Sequence, residues 1–244
     1  MFSRGNVTEK KRFGASLVQR GERVLDLYAG IGYYTLPALL LGNAQHVYAC
    51  EWNPDALLAL RYNLTQNGVN DDDDKVTVIA GDSRKVLGSL SDTIGVDRVS
   101  LGLLPSSEGG WKTAVGALRN DVGGWLHIHA NVPPQELRVW TEWMVWRLHE
   151  HVVQDSSKPD WFVVCQEVVR VKSFAPQVNH YVADVYCGPQ KPTSHSDEDD
   201  DALVWVRVDK DKWSSFRKPP ATKPSCALDD GGVLHQSWLR TDPS

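Results

Sequence analysis

Residues 24–33 read Val-Leu-Asp-Leu-Tyr-Ala-Gly-Ile-Gly-Tyr, and a second apolar run, Val47-Tyr-Ala-Cys-Glu51, ends in a carboxylate. Strand, glycine turn, helix, strand and acid, in that order, build a nucleotide pocket at the edge of an open α/β sheet. Gly30 and Gly32 are expected to let the backbone pass where any Cβ would collide with a ligand. Glu51, at the end of the second strand, is placed to accept hydrogen bonds from both hydroxyls of a ribose. The ligand implied is an adenosine derivative.

The spelling of the turn narrows the choice. Asp26-Leu-Tyr-Ala-Gly30-Ile-Gly32 lacks the Gly-x-Gly-x-x-Gly spacing of dinucleotide sites and the Gly-Lys-Ser/Thr of a P-loop, which disfavours NAD and ATP. An Asp inside the first strand, two glycines and an acidic strand end form the pattern of class I S-adenosylmethionine (SAM) enzymes, whose ligand has no pyrophosphate to cradle. Lys75-Val-Thr-Val-Ile-Ala-Gly-Asp82-Ser-Arg84 then reads as a β-branched strand ending in Gly-Asp. Asp82 is a candidate acceptor for an adenine amino group, although Gly-Asp after a strand is more often a turn with a local cap.

At 244 residues the chain suits one α/β domain of about 180 to 190 residues plus a ragged end. With 41% hydrophobic and 23% charged residues and no apolar run near ~20 residues, it reads as globular, without a membrane span. The start has no secretory signal, and Cys50, Cys165, Cys187 and Cys226 form no Cys-x-x-Cys pair, so a reduced, cytoplasmic protein without structural zinc is expected. The net charge of −5 argues against a chain coated in nucleic acid, but the N-terminus is locally basic, with Arg4, Lys10, Lys11, Arg12, Arg20 and Arg23 against Glu9 and Glu22. The acidic runs 71–74 and 197–201 read as solvated loops; successive Asp on an extended chain point to opposite sides and do not converge on a metal.

Along the chain, Tyr33 to Leu41 reads as a helix. Pro54 to Asn67 reads as a second, with Asn53 as N-cap, Pro54 at the first helical position and Gly68 at the C-cap. Strands are expected at about 75–80, 96–103 and 125–130, with helices at Trp111–Arg119 and Pro134–His151. Trp161–Lys172 and His180–Cys187 suit an antiparallel hairpin at the sheet edge. A hairpin after five parallel strands resembles an α/β, Rossmann-like class I SAM-dependent methyltransferase fold, mostly parallel with an antiparallel edge hairpin, and that fold is expected here. The implied division is a basic N-terminal segment over 1–22, the SAM-binding catalytic domain over 23–188 and a polar, poorly ordered extension over 189–244, in which Ala202–Val208 adds one possible strand.

At the end of the fourth strand stands Leu101-Gly-Leu-Leu-Pro105-Ser106-Ser-Glu108, at the switch point where open sheets place ligands, so Pro105 and Ser106 are candidate substrate contacts. Enzymes that methylate exocyclic amines typically carry Asn/Asp-Pro-Pro-Tyr here, and this chain has neither the Asn nor the Tyr. His127 and His129 on one strand face read as packing or backbone-bonded residues, Trp140, Trp143 and Trp146 as core at helical spacing, and no general base is identifiable.

With Phe2-Ser3-Arg-Gly-Asn-Val-Thr-Glu-Lys10-Lys-Arg12-Phe13, the glycine turn, Cys50-Glu51-Trp52-Asn53-Pro54, Gly81-Asp82-Ser83-Arg84, the loop 101–108 and Val171-Lys-Ser-Phe-Ala-Pro176, the chain resembles the tRNA wybutosine-synthesizing protein 2 family over roughly residues 1 to 188. The resemblance implies transfer of the 3-amino-3-carboxypropyl group of SAM, as co-substrate, to a carbon of the tricyclic base beside the anticodon of phenylalanine tRNA, releasing methylthioadenosine. A sulfonium makes all three attached carbons electrophilic, so the pocket selects the reacting carbon by which one it presents, and positioning supplies most of the rate with no metal required. By the same resemblance Ser3 and Lys10 contact the methionine moiety, Glu51 the ribose, and Asp82 with Ser83 the adenine end; Ser83 stands where the family usually has Asn. Arg12 joins the substrate-facing residues, against a bland reading of Lys10 and Arg12 as a solvated basic face. Met1 falls inside the first of these motifs, and a weak grip on tRNA is expected, since phosphate contacts dominate such binding. Two alternatives share the scaffold: a tRNA guanine-N1 methyltransferase, and a SAM-binding module that works with a partner chain.

Overall fold

The structure is a computed structural model and describes residues 6–69, 74–86, 94–190, 204–209, 212–216 and 218–228. A short helix, α1 (Val7–Lys11), runs into a π-helical turn over Arg12–Leu17 before β1 (Arg23–Asp26), α2 (Thr35–Leu40), β2 (His46–Glu51), α3 (Pro54–Gln66), β3 (Val76–Ala80) and α4 (Ser83–Val86). Then come β4 (Arg98–Leu101), α5 (Trp111–Ala117), β5 (Gly124–Val132), α6 (Leu137–Val153), β6 (Phe162–Ala175), β7 (Val178–Gly188), β8 (Val204–Asp209) and β9 (Lys212–Phe216). They form one sheet in the order β3-β2-β1-β4-β5-β7-β6-β8-β9. The first five strands are parallel, and β7 joins β5 antiparallel.

Strand parity splits the interior in two. Leu25, Val99, Leu101, Leu126, Ile128, Ala183 and Val185 face a core closed by Trp111 of α5 and by Trp140, Met144 and Leu148 of α6. Val24, Val47 and Ala49 face a second core with Phe13, Tyr34, Ala38, Leu60 and Leu64. Every residue of β5 except Trp125 is buried. A strand covered on both faces reads as a continuous run rather than an alternation. The start of α3 follows its sequence: the Asn53 side chain accepts from Asp55 N at 2.9 Å, Pro54 opens the helix, and Gly68 beyond it has φ 74°.

Three elements differ from the sequence reading. The fourth strand ends at Leu101 rather than 103, because Gly102 starts the loop whose Leu104–Pro105 peptide is cis. The N-terminal segment is helical and buries Glu9, Phe13 and Gly14 against the sheet and α2. The extension after 188, expected to be polar and poorly ordered with one possible strand at Ala202–Val208, holds two strands in its described parts. β8 pairs with β6 in parallel, β9 pairs with β8, and Val204 and Trp205 are buried, so apolar side chains at the edge of β6 find cover there. Of the acidic runs, only Asp74 lies within the described residues. Among those residues no helix is long and apolar enough to cross a membrane.

Gly14 is where the N-terminal segment meets α2. A Cβ there would stand 2.5 Å from the Pro37 carbonyl oxygen and 2.8 Å from Pro37 Cβ. Gly14→Ala is therefore expected to cost about 1–3 kcal/mol through backbone displacement, read as a lower urea midpoint. A midpoint equal to wild type would show that this contact is not tight in solution.

Candidate functional site

The sheet order reverses between β1 and β4, and a cavity of about 920 Å³ opens there. That is the switch point at which open α/β sheets bind ligands, and the volume suits a ligand of nucleoside size or larger. Gly30, Glu51, Asp82, Ser83, Pro105 and Ser106 all line it. Six of the residues singled out from sequence, spread over 77 positions, thus converge on one space.

Glu51 is pinned by backbone. Its Oε2 accepts from Gly30 N at 2.8 Å, and its Oε1 accepts from Trp52 N at 2.9 Å and Asn53 N at 2.8 Å. A carboxylate has about four acceptor sites, so three amides leave room for one more donor. Gly30 adopts φ 54°, and a Cβ on it would meet only Tyr33 Cδ2, at 3.9 Å, leaving its face open. Gly32 does a different job. It does not line the cavity; its φ is 99°, and a Cβ would press on Leu60 Cδ1 at 3.1 Å and Leu36 Cδ1 at 3.3 Å. Glycine is called for there by that left-handed φ and by the close approach of Leu36 and Leu60.

Asp26 is likewise beneath the site rather than in it. It is fully buried, accepts from Thr35 Oγ1 at 2.8 Å, and burial pushes its carboxyl up to about 6 against that hydrogen bond. Asp82 lines the cavity with its carboxylate held by Arg84, whose Nη2 lies 2.6 Å from Oδ2, and this contact lowers its pKa. Ser83 is buried at the start of α4. The loop 102–106 is fixed to β5 by Asn131 N donating to Pro105 O at 2.9 Å and by a bridge between Ser106 and Ala130.

The N-terminal candidates fall elsewhere. Ser3 lies outside the described residues. Lys10 sits with Nζ 3.9 Å from the Tyr33 ring centroid, its pKa lowered by burial and by the nearby Lys172. Arg12, read as a substrate contact, does not line the cavity; its part-buried guanidinium is tied to Glu9 at 2.8 Å and to Asp184. The reason is a buried acid on β7 that no local pattern reveals. His127 bonds Asp184 and Arg98 through its two ring nitrogens, whereas His129 meets His180 through Nδ1 alone and its buried Nε2 has no partner; the partners of both are side chains rather than backbone.

Sequence reasoning passed over Tyr28, Trp52, Arg84, Gly109 and Leu228, which also line the cavity. Tyr28 and Trp52 sit within motifs already singled out, and Trp52 is 72% exposed, a signal in a residue this large. Burial raises the Tyr28 hydroxyl to about 12, so it stays protonated as a donor.

Comparison with known proteins agrees with this architecture. A family model described as the TRM5/TYW2 methyltransferase domain matches residues 1–154. A Danio rerio protein named tRNA wybutosine-synthesizing protein 2 homolog is 42% identical over 217 residues, covering 78% of this chain and 51% of its own length. The chain spans about half the length of that relative and of its mammalian counterparts. Among solved structures, M. jannaschii TYW2 in complex with AdoMet superposes with a TM-score of 0.63 at 27% identity, over 77% of this chain and 78% of that one. P. horikoshii TYW2 in complex with MeSAdo gives 0.63 at 26% identity, over 78% and 65%. With the matched model covering more than half of its residues, the chain belongs to the TRM5/TYW2 methyltransferase domain family.

Proposed function

We propose that this chain binds SAM in the 920 Å³ cavity and transfers its 3-amino-3-carboxypropyl group to the tricyclic wyosine-type base beside the anticodon of phenylalanine tRNA, releasing methylthioadenosine. The observation that carries the reading is the convergence of Gly30, Glu51, Asp82 and the 102–106 loop on one space. The Danio rerio relative's name and the AdoMet and MeSAdo of the two solved relatives support the choice of group transferred.

The residues fit the ligand. The free acceptor capacity of Glu51 and the open face of Gly30 suit a ribose, and Asp82 suits the purine edge. Lys10, beside the like charge of Lys172, stands in surroundings that favour an anion such as the ligand's carboxylate. Ser3 joins it in this reading. SAM supplies a sulfonium with three electrophilic carbons. The protein's part is to fix which of them faces the base, with Pro105 and Ser106 on the substrate side in a loop anchored to β5. The loop has no amide side chain or tyrosine with which to grip an exocyclic amine, which argues against an exocyclic amine as the nucleophile. Residues 23–188 form the catalytic domain on this reading, with tRNA as the macromolecular partner.

The test is mass spectrometry of the by-product and nucleoside after incubating the protein and SAM with phenylalanine tRNA arrested at the tricyclic intermediate. Methylthioadenosine with an aminocarboxypropylated base is the expected result. S-adenosylhomocysteine would move the assignment to the guanine-N1 methyltransferase, and SAM binding without product to a module that needs a partner chain.

A further inference from the structure

The segment 218–228 lies beyond the residues matched by the family model, yet it closes onto the cavity. Ser225 donates through N and Oγ to Glu136 Oε2, at 2.8 and 2.7 Å. Cys226 is 1% exposed within the larger core. Leu228 N then donates to Glu108 Oε2 at 2.9 Å, and the Leu228 side chain becomes part of the cavity wall. A Cβ built on Gly109 would stand 3.9 Å from both Leu228 Cδ1 and Arg84 Nη1, so Leu228 enters at the end of the cavity that holds Asp82 and Arg84.

Two acids hold this strap, and one of them is costly. Glu108 is largely buried, and burial raises its carboxyl above the usual range against the Leu228 amide and Arg147. A buried carboxylate given to the backbone of one residue fixes that residue's position. Gly109 presents no side chain on this wall, and Leu228 supplies the apolar surface there.

We infer that Leu228 is the apolar face of the purine subsite, held in place by Glu108 and Glu136 as positioning residues. The inference rests on the proposed SAM site and adds a contact from outside the matched domain. A purine needs an acceptor at its edge, which Asp82 supplies, and apolar contact on its face. The charged amino-acid end of the ligand would gain nothing from a leucine.

Calorimetric titration of the full chain with SAM and, separately, with adenosine tests this. Leu228→Ala is expected to weaken both ligands by about fivefold or more and by the same factor, from lost apolar contact. Leu228→Met, which keeps the volume, is expected to bind within about twofold of wild type, and its thermal midpoint checks that the strap is intact. Equal affinities for wild type and Leu228→Ala would overturn the inference while leaving the SAM site standing. Weakening of SAM with adenosine unchanged would also overturn it, by putting Leu228 at the amino-acid end. A wild-type chain that binds neither ligand would remove the SAM site itself, and the inference with it.

Discussion

Glu51→Ala is expected to raise the dissociation constant for SAM by more than tenfold. The residue is 9% exposed and sits between three backbone donors, Gly30 N, Trp52 N and Asn53 N. Truncation removes the acceptor for the ribose and leaves three amides without their partner, so the glycine turn and the entrance to α3 lose their common anchor. Unpaired buried donors cost about 1–3 kcal/mol, so a lower thermal midpoint should accompany the lost affinity. Glu51→Gln is a sharper variant. It keeps size and shape, but its NH2 would turn a donor towards backbone donors on one side or the other, so binding should still fall severalfold with a smaller loss of stability. Asp82→Ala should cost less than either, because that carboxylate is already held by Arg84 on a more exposed surface. Calorimetry on the three variants gives the ranking, and wild-type affinity in Glu51→Ala would take Glu51 out of the site.

The site was legible where chemistry and local structure share a few adjacent residues. Glu51 and Gly30 are read from strand ends and a turn, and the 2.8 Å bond between them joins two such signals. Asn53, Pro54 and Gly68 bound α3 as their backbone preferences require. What stayed hidden depends on distant partners. Gly32 carries the same letter as Gly30 but answers to Leu60 and Leu36. Val7–Leu17 shows no apolar stripe, because what it buries is Glu9, Phe13 and Gly14, and its basic residues read as a solvated face. Leu228 follows a proline-rich coil whose composition gives no reason to expect a return to the cavity. The ion pair of Arg12 is equally silent in the sequence, because its partner, Asp184, stands 172 positions away.

That partnership carries the largest expected effect on stability. Glu22 accepts from Arg98 at 2.7 and 2.8 Å, Arg98 Nη1 donates to His127 Nε2 at 2.7 Å, His127 Nδ1 donates to Asp184 at 2.6 Å, and Arg12 joins Asp184 to Glu9. A neutral His127 with its proton on Nδ1 satisfies both neighbours, in keeping with burial lowering its pKa. Burial alone would raise the Asp184 carboxyl, but His127 and Arg12 hold it well below the usual carboxylate range. Asp184→Ala leaves Arg12 and His127 without their shared acceptor and is expected to cost about 3–5 kcal/mol in urea unfolding at pH 7. It should also loosen the helix that carries Lys10, so SAM affinity falls with it. The pH dependence follows in sign. A carboxyl whose folded pKa is depressed stabilises fully above its unfolded value, about 3.9, and loses that contribution as pH falls below it. The gap between wild type and Asp184→Ala should therefore hold from pH 7 to about 5 and narrow below about 4. A gap under about 1 kcal/mol at pH 7 would mean that the N-terminal helix is held by the packing of Phe13 and Gly14 alone, and that Arg12 is free to meet a substrate after all.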